Sequence, residues 1–136
     1  AHFTTALVAT GEFAPVRRAN LLIDRARAST ELADLRSARA DLDEATRLAP
    51  SEPAGWLLSA TLARRQNDLP RAGADIARAS ALAPADPDIL FEQGAIAAAG
   101  NDFATARRHW DAAVKAAPQS DAAALARKAL ADAPPG

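Results

Sequence analysis

Cysteine, tyrosine and methionine are all absent from the 136 residues, and only two histidines are present. Without cysteine there can be no disulfide framework, no thiolate metal site and no cysteine nucleophile, and thiol usage leaves cytoplasm and periplasm both open. Aromatic residues make up 4% of the chain, too few for the aromatic and β-branched strands of an all-β domain. A basic excess is also missing: sixteen basic residues against seventeen acidic ones leave a formal charge of -1. That balance removes the counterion-release term that drives phosphate-backbone binding, so nucleic acid is excluded as an expected partner. No apolar run approaches the roughly 18 residues of a membrane span, and the first residues lack the basic-then-apolar layout of a signal peptide. A soluble chain without membrane insertion is therefore expected. Because it starts at Ala1 with no methionine anywhere, an upstream region of the native chain is expected to precede it.

What is present is alanine, and a period. Apolar residues reach 49%, with alanine supplying much of that count, which favours helices packed closely through small side chains. Pro50, Pro84 and Pro118 stand 34 residues apart, each closing Leu-Ala-Pro or Ala-Ala-Pro. The same spacing links Ala45, Ala79 and Ala113, then Leu42, Ile76 and Trp110, then Ala38, Ala72 and Ala106, and finally Asp34, Asp68 and Asp102. A fixed period of this length means a stacked repeat, in which no unit buries its apolar face alone.

Each column has a mechanical reading. The aspartates precede Leu35, Leu69 and Phe103, where a side-chain oxygen can accept from the free N–H groups of a starting helix. Leu35, Ala38, Leu42, Ala45 and Leu48 then follow one helical face. The closing prolines stop that helix, and Pro53 and Pro87 sit where proline opens the next one. The spacing predicts opening helices from about Ala54 to Gln66 and from about Asp88 to Ala99, with turns at Gln66-Asn67 and Gly100-Asn101. Connections this short make neighbouring helices antiparallel.

These residues resemble the tetratricopeptide repeat family, a 34-residue helix-turn-helix unit. Trp56, Ala60, Ala63, Ala72, Ile76, Ala79 and Pro84 match its pattern in one copy, and Leu90, Gly94, Ala97, Ala106, Trp110, Ala113 and Pro118 in the next. The first copy keeps Ala38, Leu42, Ala45 and Pro50, with Leu22 and Ala26 fitting in its opening helix but Arg25 and Ser29 departing from the pattern. Ser59 and Gln93 stand where the family has leucine. The resemblance implies an all-α fold: antiparallel helix-turn-helix repeats stacked as a short right-handed α-solenoid. Residues 1–18 form a leader or docked segment, 19–118 hold three repeats (19–52, 53–86, 87–118), and 119–136 carry a capping helix and proline-rich tail. The leader, with Phe3, Leu7, Val8 and Phe13, follows neither a helix nor a strand period, although Pro15 can begin an early helix.

For function, the resemblance implies a scaffold that binds a protein or peptide in a concave groove lined by the first helices of successive units. The corresponding residues are Ile23, Leu57 and Phe91 in one column, Arg27, Thr61 and Ala95 in a second, and Thr30, Arg64 and Ala98 in a third, with Arg65 alongside. Leu57 and Phe91 are the expected anchors. The family's carboxylate-binding adaptors use lysines and asparagines on this face, a pattern these positions do not carry. Alternative readings are self-association through Phe3 to Phe13, or an accessory region of a longer multidomain protein; a monomer or weak homodimer is expected. No catalytic set, metal site or cofactor is expected. His2 lies in the leader, His109 is read as an outward solvated residue, and Asp41, Asp43 and Glu44 as a wet helix face interleaved with Arg39 and Arg47.

Trp56 and Trp110 are expected in the core, and the alanine columns where helices cross. Enlarging Ala72 or Ala106 to leucine should cost about 1–3 kcal/mol by overpacking. Denaturant midpoints measure this, and unchanged values would contradict the register.

Overall fold

The computed structural model describes residues 2–135, with side chains from Ala14 onward. Seven helices follow one another: α1 (His2–Glu31), α2 (Leu35–Leu48), α3 (Pro53–Arg65), α4 (Leu69–Leu82), α5 (Pro87–Ala99), α6 (Phe103–Ala116) and α7 (Asp121–Asp132). No strand occurs among the described residues.

The ends of the helices follow from local chemistry. Asp34, Asp68 and Asp102 cap α2, α4 and α6 by accepting from the backbone N–H of Ser37, Arg71 and Thr105. Ser120 does the same for α7 through Ala123, and Pro53 and Pro87 open α3 and α5. Such a cap contributes about 1 kcal/mol. The turn out of each first helix uses one left-handed residue, at Ala33 (φ 60°), Asn67 (φ 60°) and Asn101 (φ 65°). The next N–H, of Asp34, Asp68 or Asp102, then donates back to Ser29, Ala63 or Ala97 at 2.8–2.9 Å, satisfying a carbonyl that the helix end leaves open. Asparagine tolerates this backbone; alanine does so at a cost.

Within each unit a small residue on the first helix faces a large one on the second. Ala26 and Leu42 share one core cluster, and Ala60 and Ile76 the next. In the third unit the partners are Gly94 and Trp110: a Cβ on Gly94 would lie 2.3 Å from the indole nitrogen. As the large residue grows from leucine or isoleucine to tryptophan, the small one shrinks from alanine to glycine. Trp110 is 5% exposed, and its indole N–H donates to the Phe91 carbonyl at 3.2 Å.

Helices α1 and α2, α3 and α4, and α5 and α6 pair, and α7 rests on α6 and α5. Along the stack the first helices touch in succession, α1 to α3, α3 to α5 and α5 to α7, whereas the backbones of α2, α4 and α6 stay apart. Close spacing on one side and wide spacing on the other is what curvature requires, so the first helices line the inner side.

Two expectations need correction. Residues 1–18 show no helical period, yet α1 begins at His2 and carries Pro15 inside it. Val16, Ala19, Leu22, Ile23 and Ala26 belong to the first core cluster and anchor the helix, and residues before them need only propagate an existing nucleus. The expectations placed on Phe3, Leu7, Val8 and Phe13 concern side chains outside the described residues. Trp56 is only half-buried: its ring packs on the second cluster, its N–H donates to the Pro50 carbonyl at 2.8 Å, and the Arg78 guanidinium sits 4.6 Å above it. The pair of stacked planes keeps that tryptophan at the surface.

Gly94→Ala should destabilise the chain by about 1–3 kcal/mol through the clash with Trp110. Combining it with Trp110→Ile recreates the Ala60–Ile76 pair, so the double variant should lose less than the two single losses combined. Urea unfolding reads this, and strict additivity would contradict the packing account. Ala33→Asn should instead raise stability by about 1 kcal/mol, because asparagine suits the left-handed turn; an unchanged or lower midpoint would contradict it.

Candidate functional site

The inner side is built from the exposed faces of α1, α3, α5 and α7. Leu57 on α3 and Phe91 on α5 are half-buried, seated on the second and third core clusters and open on their other side. Leu125 continues their column onto α7, 34 residues after Phe91, and is 53% exposed. The repeat spacing alone could have found it. Ile23, the fourth member of that column, departs from it: the residue is 3% exposed and lies within the first core cluster beside Gly55. Gly55 leaves room for α1 to settle against α3, so Ile23 is a core residue and offers no groove surface.

The second and third columns hold the polar groups. Ala95 is half-buried and contributes surface alone. Thr61 and Arg64 converge on Glu92, a residue of α5 that sequence reasoning passed over. Its carboxylate is 4% exposed and accepts from Thr61 Oγ1 at 2.7 Å and from Arg64 Nε at 2.6 Å and Nη2 at 3.2 Å. Three donors compensate the burial of one charge, and together they tie α3 to α5 across the inner side. Arg64 is thereby committed, and it is not the free orienting cation that its position suggested.

Arg27 and Arg65 are the exposed guanidiniums of this face. Arg27 meets Asp24 at 3.3 Å, a pair with both side chains more than half exposed. Arg65 has no hydrogen bond or ion pair among the described residues. Between them, at the junction of α1 and α3, opens a cavity of about 290 Å³. Its floor is Ala26, Leu42, Leu58 and Leu62; Thr30 and Thr61 form its walls, and Arg27, Arg65 and Glu31 its rim. At the opposite edge Asp86, Asp88 and Asp121 gather at the starts of α5 and α7. Loss of solvent, then the carboxylates of Asp86 and Asp121, raise the Asp88 carboxyl above its ordinary value, while Arg27 opposes them.

Two charge assignments away from this face also change. Asp41, expected on a wet surface, is 6% exposed and takes a bidentate contact from Arg25 on α1, at 2.8 Å to Nε and 2.6 Å to Nη2. That hydrogen-bonded guanidinium holds the Asp41 carboxyl below its usual value. His109, expected to be solvated, is half-buried, and burial with a contribution from Arg108 lowers its imidazolium below the ordinary histidine value. Among the described residues no group of three histidine, aspartate or glutamate side chains converges as metal ligands would, and no helix is long and apolar enough to cross a membrane.

Comparison with known proteins places this arrangement. No protein-family model matches the chain, and no curated protein sequence does. Solved structures do match. The first TPR of Spaghetti (RPAP3) bound to HSP90 peptide SRMEEVD is 17% identical with a TM-score of 0.73, covering 86% of this chain and 96% of that one. The Arabidopsis OM64 TPR domain is 15% identical with a TM-score of 0.76, covering 86% and 97%. The first TPR domain of human RPAP3 is 18% identical with a TM-score of 0.74, covering 85% and 94%. The chain has the fold of tetratricopeptide repeat domains, an all-α helical-repeat solenoid.

The Arg25–Asp41 pair carries a pH signature. A depressed carboxyl stabilises the fold fully above the ordinary value of 3.8 and loses that contribution as pH falls through it. Arg25→Gln should therefore be less stable than the parent at neutral pH, and the gap should close below about pH 4. Unfolding measured across pH at low salt checks it; a gap that stays constant into acid would contradict the pairing.

Proposed function

We propose that this chain is a non-catalytic protein-interaction module that holds a peptide or protein segment against the inner side of its stack. Three units, 19–52, 53–86 and 87–118, supply paired helices, and residues 119–136 cover the last of them. The observation that carries the reading is the half-open apolar column of Leu57 and Phe91, continued by Leu125, on the side where the first helices crowd together. Each of these side chains has a fixed seat in the core and a free face, which makes it a preorganised anchor for apolar groups of a ligand. Thr61 and Ala95 lie beside that column, and the Glu92–Arg64 bridge keeps α3 and α5 at a set distance.

The fold neighbours support the same reading by analogy, since one of them is bound to a peptide. The partner class is a protein or peptide. The near-balanced charge gives no support to nucleic acid.

Replacing Leu57 and Phe91 together by serine tests the proposal. Both residues are partly exposed, so the variant should keep its helical circular dichroism while losing at least about tenfold in affinity for a bound segment, or roughly 1.4 kcal/mol. Binding to an immobilised peptide array reads the loss. A folded double variant with undiminished capture would overturn the reading.

A further inference from the structure

We infer that the cavity at the α1–α3 junction is the specificity pocket of this face: it takes one aliphatic side chain of a partner segment while Arg27 and Arg65 receive an adjoining carboxylate. The inference rests on the inner-side reading above and adds the chemistry of what binds there.

Three observations carry it. The cavity measures about 290 Å³, just below the roughly 300–1,000 Å³ of small-molecule sites, a size for one inserted side chain. Its floor is wholly aliphatic, from Leu42, Leu58, Leu62 and Ala26, with no aromatic face for a ring to stack on. Its rim holds two guanidiniums against one carboxylate, Glu31. The availability of those guanidiniums separates this pocket from the rest of the face. Arg64, one residue from Arg65, is spent on buried Glu92, and Arg25, one turn from Ser29, is spent on Asp41. Arg65 carries no partner among the described residues, and Arg27 has only the loose, exposed contact to Asp24. A carboxylate arriving here would find donors already held beside an apolar floor, where a charge-assisted hydrogen bond is stronger than in open water.

The pocket also faces the wrong way for a basic neighbour. Cationic groups of a ligand would be repelled at this end of the face and drawn to the opposite edge, where Asp86, Asp88 and Asp121 stand. The partner segment is therefore acidic next to its aliphatic anchor. The carboxylate could belong to an aspartate or glutamate side chain or to a chain end; the recognising chemistry is the same.

Fluorescence anisotropy with defined peptides tests this. The probes are labelled heptapeptides, blocked at both ends, with one central leucine flanked by glutamates, by lysines or by serines, and a serine-flanked version ending in leucine with a free carboxylate. The intact chain should bind the glutamate-flanked peptide about tenfold more tightly than the lysine-flanked one at low salt. Arg27→Glu/Arg65→Glu, which changes two exposed side chains, should reverse that order, an outcome that misfolding cannot produce. Thr30→Phe, which occupies the cavity from its wall, should remove the preference for a central leucine over alanine. If the free-carboxylate peptide equals the glutamate-flanked one, the anion is a chain end; if it binds more weakly, the anion is a side chain. The inference is overturned if the intact chain binds all the peptides alike or none, if the charge-reversed variant keeps the original order, or if Thr30→Phe leaves the leucine preference intact. When Leu57→Ser/Phe91→Ser abolishes binding but the charge-reversed variant keeps the original order, the inner side remains the binding face and only the pocket assignment falls.

Discussion

The fold depends on a volume match repeated at the crossing of two helices. On the first helix of each unit a residue with little or no side chain, Ala26, Ala60 or Gly94, lets the second helix bring a large one, Leu42, Ile76 or Trp110, into the gap. Interiors are packed to crystal density, so neither member can change size without the other giving way. Because both members return after 34 residues, the crossing geometry returns too, and stacking follows from copying one joint. The Gly94–Trp110 pair is the most demanding case, with no space left for even one methyl group.

On that frame, polar groups couple the units in different places. Between the first and second units, Asp75 accepts from Ser59 and from Arg71, Arg71 also reaches Asp43, and Arg39 joins Asp43 to Ser59, closing a ring over α2, α3 and α4. Thirty-four residues on, the equivalents of Arg39, Asp43, Ser59, Arg71 and Asp75 are Gly73, Ala77, Gln93, Thr105 and His109, which cannot rebuild it. The link between the second and third units lies instead on the inner side, where Thr61 and Arg64 hold Glu92. Partly exposed ion pairs contribute little each, commonly below about 1 kcal/mol, so their role is to fix the angle between units more than to hold them together. The consequence is that Arg64 is unavailable to a ligand and Arg65 is available.

Much of this was legible in the sequence. The 34-residue period gave the helices, the aspartate caps, the stopping prolines and the turn positions, because each of those is decided by residues close in the chain. What stayed hidden depends on partners a helix away. Ile23 sits in the same column as Leu57, yet Gly55 draws α1 and α3 together and buries it. Arg25 departed from the family pattern, and Asp41 read as solvated, because neither column reveals that they meet 16 residues apart; the Ser59–Asp75 bond at the same separation was the available signal. Glu92 escaped notice because a lone acid on a repeat helix reads as surface until its donors on α3 are in place. The helix through Pro15 broke a local rule that anchoring at Val16 and Ala19 overrides.

The account turns on the inner side being where a partner is read. Backbone amide chemical-shift mapping during titration with the glutamate-flanked leucine peptide measures this directly. Perturbations concentrated on α1 and α3 around Arg27, Leu58 and Arg65, extending to Phe91 on α5, are the expected result. Perturbations confined to the outward faces of α2, α4 and α6 would contradict it.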